Sequence, residues 1–424
     1  MRHFSLKTAM PSVFRELSYR RLWLARITST VAFQIVGVAV GWQIYDLTHS
    51  TLALGMVGLV QFAPTLLLVL AVGHVADGFD RKVIIGVCQS VEGLVAVLLT
   101  FCSYDHRLTP VGIYFGVAVI GASRAFENPT SQAMVPSLVE NAMAPAAIAL
   151  LSSANQAAYI IGPALGGLLY VFGAHIPYGV SGILFIISSL LSRTIKARPI
   201  AARKTKVTAS SIFSGIHYIR SHKNILGAIS LDLFVVLLGG VTALLPAYAR
   251  DILHTGPWGL GLLRLSPAVG ALSTSVYLAH HPIHNRAGRK MFAAVIVFGL
   301  ATIAFALSRS IFLSMAILCV LGTADVVSVV VRSSLVQLET PDSMRGRVSA
   351  VNSLFVGTSN QLGEFESGVT ASWFGIVPAT VIGGIGSIVI AALWMGLFPN
   401  LRKLESLAIT SDACNDAEFN STSR

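Results

Sequence analysis

The apolar residues of this chain come in long, nearly uninterrupted runs, and the polar residues collect in short gaps between them. Twelve such runs occupy residues 22–46, 51–75, 83–102, 110–134, 141–171, 177–194, 224–249, 257–279, 291–308, 311–338, 343–373 and 376–398. Each can cross a hydrocarbon layer of about 30 Å as an α-helix, which needs roughly 20 residues. Pro110, Pro177, Pro257 and Gly375 mark several of the turns between them. The pattern predicts an all-α membrane protein with twelve transmembrane helices.

The gaps sort the runs into two sets of six. The longest gap, residues 196–223, begins with Lys196, Arg198, Arg203, Lys204 and Lys206 and ends in SIFSGIHYIRSH. There Ile212, Phe213, Ile216 and Ile219 recur near helical spacing, so we expect a flexible basic linker followed by a helix lying on the anionic lipid of the inner leaflet. The expected layout is a six-helix bundle over residues 1–195, this linker over 196–223, a second bundle over 224–400 and a disordered polar tail over 401–424. The halves echo one another. GHVADGFDRK at 73–82 has a counterpart, NRAGRK, at 285–290. Asp77 and Asn285, Arg81 and Arg289, Lys82 and Lys290, and the intramembrane Arg124 and Arg332 are all 208 residues apart. A shared offset in loop and helix implies two pseudo-symmetric bundles, copies of one unit.

Of 424 residues, 54% are hydrophobic and only 12% charged, too apolar for an ordinary soluble domain. We expect no cleavable signal peptide: Arg2, Lys7, Arg15, Arg20 and Arg21 precede an apolar run longer than a signal core. The net charge of +11 would suit nucleic acid, but its distribution argues for topology instead. Of the 30 Lys and Arg, 23 lie at the chain ends, in alternate gaps or at the span ends that border them, and only Arg107, Arg250 and Arg309 lie in the opposite gaps. This positive-inside bias places both termini in the cytoplasm, and no nucleic-acid partner is expected. The four cysteines show neither pairing nor ligand spacing, and His280, His281 and His284 beside a loop read as solvated, so no metal site is expected. With no phosphate-binding glycine loop and no catalytic constellation, neither ATP hydrolysis, a cofactor nor enzyme activity is expected on this chain.

Charges inside spans are costly and are usually functional or paired. Arg26 lies in the first span, Arg124 and Glu127 in the fourth, Asp232 in the seventh, and Asp325 and Arg332 in the tenth. Arg124 and Glu127 share a helix face, and so do Asp325 and Arg332, two turns apart. Glu92, Arg264, Glu364 and Glu366 occupy other spans; Glu364 and Glu366 point roughly 200° apart, so at most one faces an interior cavity. A buried structural pair is the alternative reading for each charge. The fifth span carries GPALGG, with Gly162, Pro163, Gly166 and Gly167, and the eleventh a looser LGEFESG. Glycines admit close helix approach and a proline permits a kink; ordinary small-residue packing is the alternative.

Twelve spans in two sixes, a D-x-x-D-R-K loop after the second span and its echo after the eighth resemble the major facilitator superfamily over nearly the whole chain. Gly73, Asp77, Arg81 and Lys82 match the family's loop pattern, while Gly78 stands at its first Arg and Asp80 at its Gly. The second copy keeps Arg286, Gly288, Arg289 and Lys290 but has Asn285 for the acid. We read these loops as a cytoplasmic latch: Asp77 faces a helix N-terminus, and Arg81 and Lys82 pair with the facing bundle when the cytoplasmic side is closed. Plain topology is the alternative. Gly-Pro-x-x-Gly-Gly in the fifth span resembles the antiporter motif of the family's exporters. RAFENPTSQAMVPSLV, LLPAYARDILHTGPWGLGLLR and PDSMRGRVSAVNSLFVGTSNQLGEFESG resemble the bacterial branch that contains the enterobactin exporter, whose members export siderophores or macrolide-like drugs.

The resemblance implies a monomeric secondary-active exporter of the bacterial inner membrane, moving a small amphipathic cargo against protons by alternating access. It places the first, fourth, seventh and tenth spans around the central cavity. Arg26, Arg124, Glu127, Asp232, Asp325, Arg332 and Glu364 are the expected pathway residues. Glu127 is the expected coupling acid, with Asp232 and Asp325 as alternatives. Competing readings are an importer or proton-independent facilitator of the same superfamily, or a non-transporting receptor. For topology, Lys204→Cys should be protected from membrane-impermeant thiol reagents in intact cells; labelling from outside would reverse the assignment.

Overall fold

The computed structural model describes residues 13–196, 209–283 and 285–405; the tail from 406, most of the basic linker and His284 lie outside the described residues. The first six long helices are α1 (Leu17–Thr48), α2 (Thr51–Gly78), α3 (Arg81–Tyr104), α4 (Pro110–Met134), α5 (Ala144–Tyr170) and α6 (His175–Arg193). A short α7 (Ala209–Ser221) occupies the end of the linker, where amphipathic spacing called for a helix. Then follow α8 (Lys223–Leu238), α9 (Val241–Ala247), α10 (Pro257–His280), α11 (Ala287–Leu307), α12 (Ile311–Glu339), α13 (Asp342–Phe374), α14 (Ile376–Leu397) and α15 (Pro399–Arg402). Local chemistry sets several starts: Ser50, Asp80 and Thr109 cap α2, α3 and α4 by accepting hydrogen bonds from the backbone N–H groups of Ala53, Lys82 and Gly112.

The seventh span is not one helix, as hydropathy suggested. It breaks at Gly239–Gly240, resumes as α9 and ends in a π-turn at Tyr248–Ile252. A Cβ on Gly240 would stand 2.6 Å from the Gly363 carbonyl and 2.7 Å from Ser367 Oγ, so the break is where α13 packs in. Hydropathy cannot register such a break, because glycines leave the run apolar.

Ten spans among the described residues are apolar enough to cross a membrane by composition alone. The other two, α4 and α13, are long enough but more polar. Arg124, Glu127, Thr130 and Ser131 of α4 are buried in protein, and Asn352 and Asn360 of α13 line a cavity, so these polar residues are kept from lipid.

Helices α1–α6 form one bundle and α8–α14 the other. The bundles cross mainly through α2 against α13 and α5 against α10, the second and fifth helices of each half exchanging partners. Both crossings are glycine contacts. A Cβ on Gly55 would lie 3.0 Å from the Gly368 Cα, and one on Gly167 2.8 Å from the Gly261 Cα. Removing the side chain lets backbones meet where no lipid-driven attraction exists between helices. The GPALGG glycines divide their labour: Gly162 and Gly166 pack on α1 within their own bundle, against Gln34 and Ile35, while Gly167 makes the inter-bundle contact.

These crossings lie toward the helix ends remote from Leu17 and Leu404, which we call the far face. There Tyr45 also donates a hydrogen bond to the Asp251 carboxylate and Arg250 pairs with Asp46, tying the end of α1 to the π-turn of the opposite bundle. In the near-face half of α13 a Cβ on Gly346 or Gly357 meets nothing within 4 Å. Among the described residues, the contacts between the bundles therefore gather at the far face.

Gly167→Leu should prevent far-face closure without preventing insertion. A cysteine placed at Asp251 should then react faster with a far-side thiol reagent than in the parent, and unchanged labelling would show that the crossing tolerates the side chain.

Candidate transport site

The intramembrane charges fall into three groups. The first is sealed inside the N-terminal bundle. Glu127 on α4 and Glu92 on α3 are fully buried, and Arg26 on α1 and Arg124 on α4 are nearly so. Glu127 Oε1 accepts hydrogen bonds from Arg26 Nη1 at 3.0 Å, Ser29 Oγ at 3.0 Å and Gln89 Nε2 at 2.9 Å. Its Oε2 faces Arg124 Nη1 at 3.4 Å, the contact expected of residues three apart on a helix. Arg26 also donates to Asn128 Oδ1 at 3.2 Å, and Ser192 holds Gln89 by donating to its Oε1 at 2.8 Å. Arg124 donates to the Ser29 carbonyl at 2.8 Å and lies over the Phe33 ring, 4.4 Å from its centroid.

Glu92 differs from Glu127. Arg124 Nε approaches its Oε1 to 3.1 Å, yet neither carboxylate oxygen receives an aligned hydrogen bond from the described residues. Two guanidiniums and two carboxylates thus balance in a dry interior, where an isolated charge would be very costly. The sequence pointed to Arg26, Arg124 and Glu127 but not to Glu92 and Gln89 as members of the same cluster. Their i, i+3 spacing on α3 was the available signal.

The second group lines a cavity of about 180 Å³ between α8, α12 and α13 of the C-terminal bundle. Arg332 on α12 pairs with Asp232 on α8. Asp325, on the same face of α12, lines this cavity and the smaller one adjoining it. Spacing along α12 suggested Asp325 as a neighbour for Arg332, but the partner comes from another helix.

The third group lies between the bundles. Glu364 of α13 rests against α2, its Oε2 2.7 Å from where a Gly58 Cβ would stand. Arg264 of α10 lies against α1, its Nη atoms 3.5 and 3.1 Å from Cβ positions at Gly37 and Gly41. Glycines in the N-terminal bundle make room for charges of the C-terminal one. Glu366 turns away and accepts a hydrogen bond from Thr370 Oγ1 at 2.8 Å.

The loop residues sit at the near face. Asp80 caps α3 and lies 3.5 Å from the Lys82 ammonium, and Arg81 donates to the Ala133 carbonyl at 2.7 Å, within its own bundle. The side chains of Gly73 and Asp77 lie outside the described residues. In the second copy, Arg286 takes a left-handed backbone (φ 55°) and the Gly288 N–H donates to the Leu404 carbonyl at 3.1 Å. Arg289 and Lys290 are exposed. His280 Nδ1 lies within hydrogen-bonding distance, 2.9 Å, of the Val276 carbonyl, and His281 stacks on Tyr277.

Two six-helix bundles, in contact at one face and carrying buried charges around their junction, define a transporter of the major facilitator superfamily rather than an enzyme. Within that class the chain belongs to the transmembrane secretion effector family, whose model it matches over residues 8–422. It is 27% identical over 393 residues to the enterobactin exporter EntS of Citrobacter koseri, an alignment covering 91% of this chain and 93% of that protein. Its fold is similar to that of a bacterial homologue of the human lysosomal transporter Spinster, solved inward-facing and occupied, with TM-score 0.73 and 14% identity over 92% of this chain and 98% of that one. A point mutant of the nucleoside transporter NupG gives TM-score 0.73 at 14% identity, over 90% and 100% of the respective chains. The protein is a multi-pass membrane transporter.

Removing one member of the sealed cluster leaves an uncompensated buried charge. Arg26→Met should therefore cost about 3–5 kcal/mol of stability. Ser29→Ala, which deletes one neutral donor to the Glu127 carboxylate, should cost about 1.5–3 kcal/mol. Thermal unfolding of the purified protein in detergent should rank Arg26→Met below Ser29→Ala; the reverse order would show that the cluster does not behave as a charge-balanced unit.

Proposed function

We propose that this chain is a proton-driven exporter of the inner membrane that carries a small amphipathic molecule from the cytoplasm, with the near face cytoplasmic. The observation that carries the reading is the double duty of α1. At its far end α1 holds the inter-bundle contacts Tyr45–Asp251 and Asp46–Arg250, and at mid-depth Gly37 and Gly41 receive Arg264. Toward the near face the same helix supplies Arg26 and Ser29 to Glu127. Opening the far face changes the load on α1 and so the donors that it holds around Glu127. A helix that joins gate to acid gives the two conformations different proton affinities, which is the requirement for coupling.

Alternating access then follows from rocking of the bundles about the glycine crossings. The open near face admits cargo, and the Gly55–Gly368 and Gly167–Gly261 contacts part to release it. The latch loops act on the same equilibrium: with the near face open, Arg81 binds its own bundle, and closure would bring it and Lys82 to the facing one. Similarity to enterobactin exporters supports export, and a siderophore or an amphipathic drug is the cargo class we assign.

The test is Glu127→Gln, which keeps the shape and loses the titratable charge. In inverted vesicles at matched folded protein, it should abolish pH-driven uphill accumulation of a fluorescent amphipathic drug while direct binding of that drug persists. A variant that still concentrates the drug against its gradient would rule out Glu127 as the coupling acid and move the role to Asp232 or Asp325.

A further inference from the structure

We propose that the cavity between α8, α12 and α13 is a binding site for the cationic, hydrogen-donating group of a cargo molecule, a protonated amine, with Asp325 as its anchor. The proposal rests on the reading of this chain as a transporter and names what the cargo must carry.

Asp325 sits at the middle of α12, and therefore near the middle of the bilayer, with its side chain open to the cavity. No Lys, Arg or His among the described residues forms an ion pair with it. The cation of the cavity wall, Arg332, is committed to Asp232, and its Nε turns to the Ser328 carbonyl at 3.4 Å. The wall thus carries a net single negative charge at a depth where an uncompensated charge is costly.

Some of the wall's donors are already spent within the protein. Ser333 Oγ donates to the Val330 carbonyl at 3.2 Å, and Asn360 Nδ2 donates to the Val356 carbonyl at 2.8 Å. Ser333 Oγ and Asn360 Oδ1 still present acceptor lone pairs beside the Asp325 carboxylate, and the Asn352 amide, which also lines the wall, can accept as well as donate. The uncompensated carboxylate favours a ligand that offers positive charge and N–H donors over a carboxylate or phenolate. Val236, Val329 and Val356 supply apolar surface for the hydrocarbon part of such a molecule. The sealed cluster of the other bundle cannot take this role, because Glu92 and Glu127 are wholly buried and Glu127 already has its donors.

The experiment uses the full-length protein in zwitterionic lipid nanodiscs and two fluorescent probes. One is dansylcadaverine, a primary ammonium on an apolar chain; the other is its N-acetyl derivative, the same size but neutral. Saturable binding is read from dansyl emission with empty discs subtracted. The parent should bind the amine at least about tenfold more tightly than the acetylated probe, a modest share of a direct ion contact in a half-dry cavity. Asp325→Asn, nearly isosteric, should abolish that preference and leave the neutral probe unaffected; Asp325→Glu should retain it. Equal binding of the two probes, no saturable binding of the amine, or an Asp325→Asn variant with parental amine affinity would each overturn the site. Uptake of the amine into inverted vesicles separates this from the transporter reading. Asp325-dependent binding without uptake would sustain the site and sink the transport assignment. Uptake that ignores Asp325 would do the converse.

Discussion

A charge within the membrane needs a partner or water, and this constraint organises the whole protein. In the N-terminal bundle the answer is closure. Arg26, Arg124, Glu92 and Glu127 come from three helices and neutralise one another beyond the reach of solvent. Such a cluster contributes little net stability, since the desolvation cost largely offsets the attraction, but it specifies which faces of α1, α3 and α4 meet. In the C-terminal bundle the answer is a cavity, where Arg332 and Asp232 pair and Asp325 stays open. Two copies of one unit have thus come to use their polar interiors differently.

The same constraint explains the glycines between the bundles. Hydrocarbon chains solvate apolar helices as well as neighbouring helices do, so association depends on close packing. Gly55 with Gly368 and Gly167 with Gly261 provide it at two symmetry-related places. Each contact is backbone-to-backbone at its closest point. That suits the junction proposed to open and close. Around it lie the polar contacts of Tyr45, Asp46, Arg250 and Asp251, which water can replace once the bundles part.

A chain of consequence runs along α1. It begins at the far-face contacts, passes Gly37 and Gly41 under Arg264, and reaches Arg26 and Ser29 at the buried carboxylate. Most of the elements proposed to act together are mounted on this one helix, so the proposed coupling is mechanical rather than a distant influence.

The sequence by itself determined the spans, the two-fold repeat and the helix faces. Each of these depends on periodicity or on neighbours a few residues away. Arg124 meets Glu127 because an α-helix places positions three apart side by side, and hydropathy located nearly every span because the bilayer demands uninterrupted apolar length. Only the tertiary structure decided the partners. Glu92 joins Arg124 across 32 positions of sequence, Arg332 takes Asp232 rather than Asp325, and Gly162 and Gly167 of one motif face different bundles. The break at Gly239–Gly240 was hidden for a related reason: it answers the approach of α13, and nothing local to the pair records that approach. Helix geometry is written into short stretches of chain, whereas pairing between helices depends on rotation and depth, and those are fixed only when all the helices pack together.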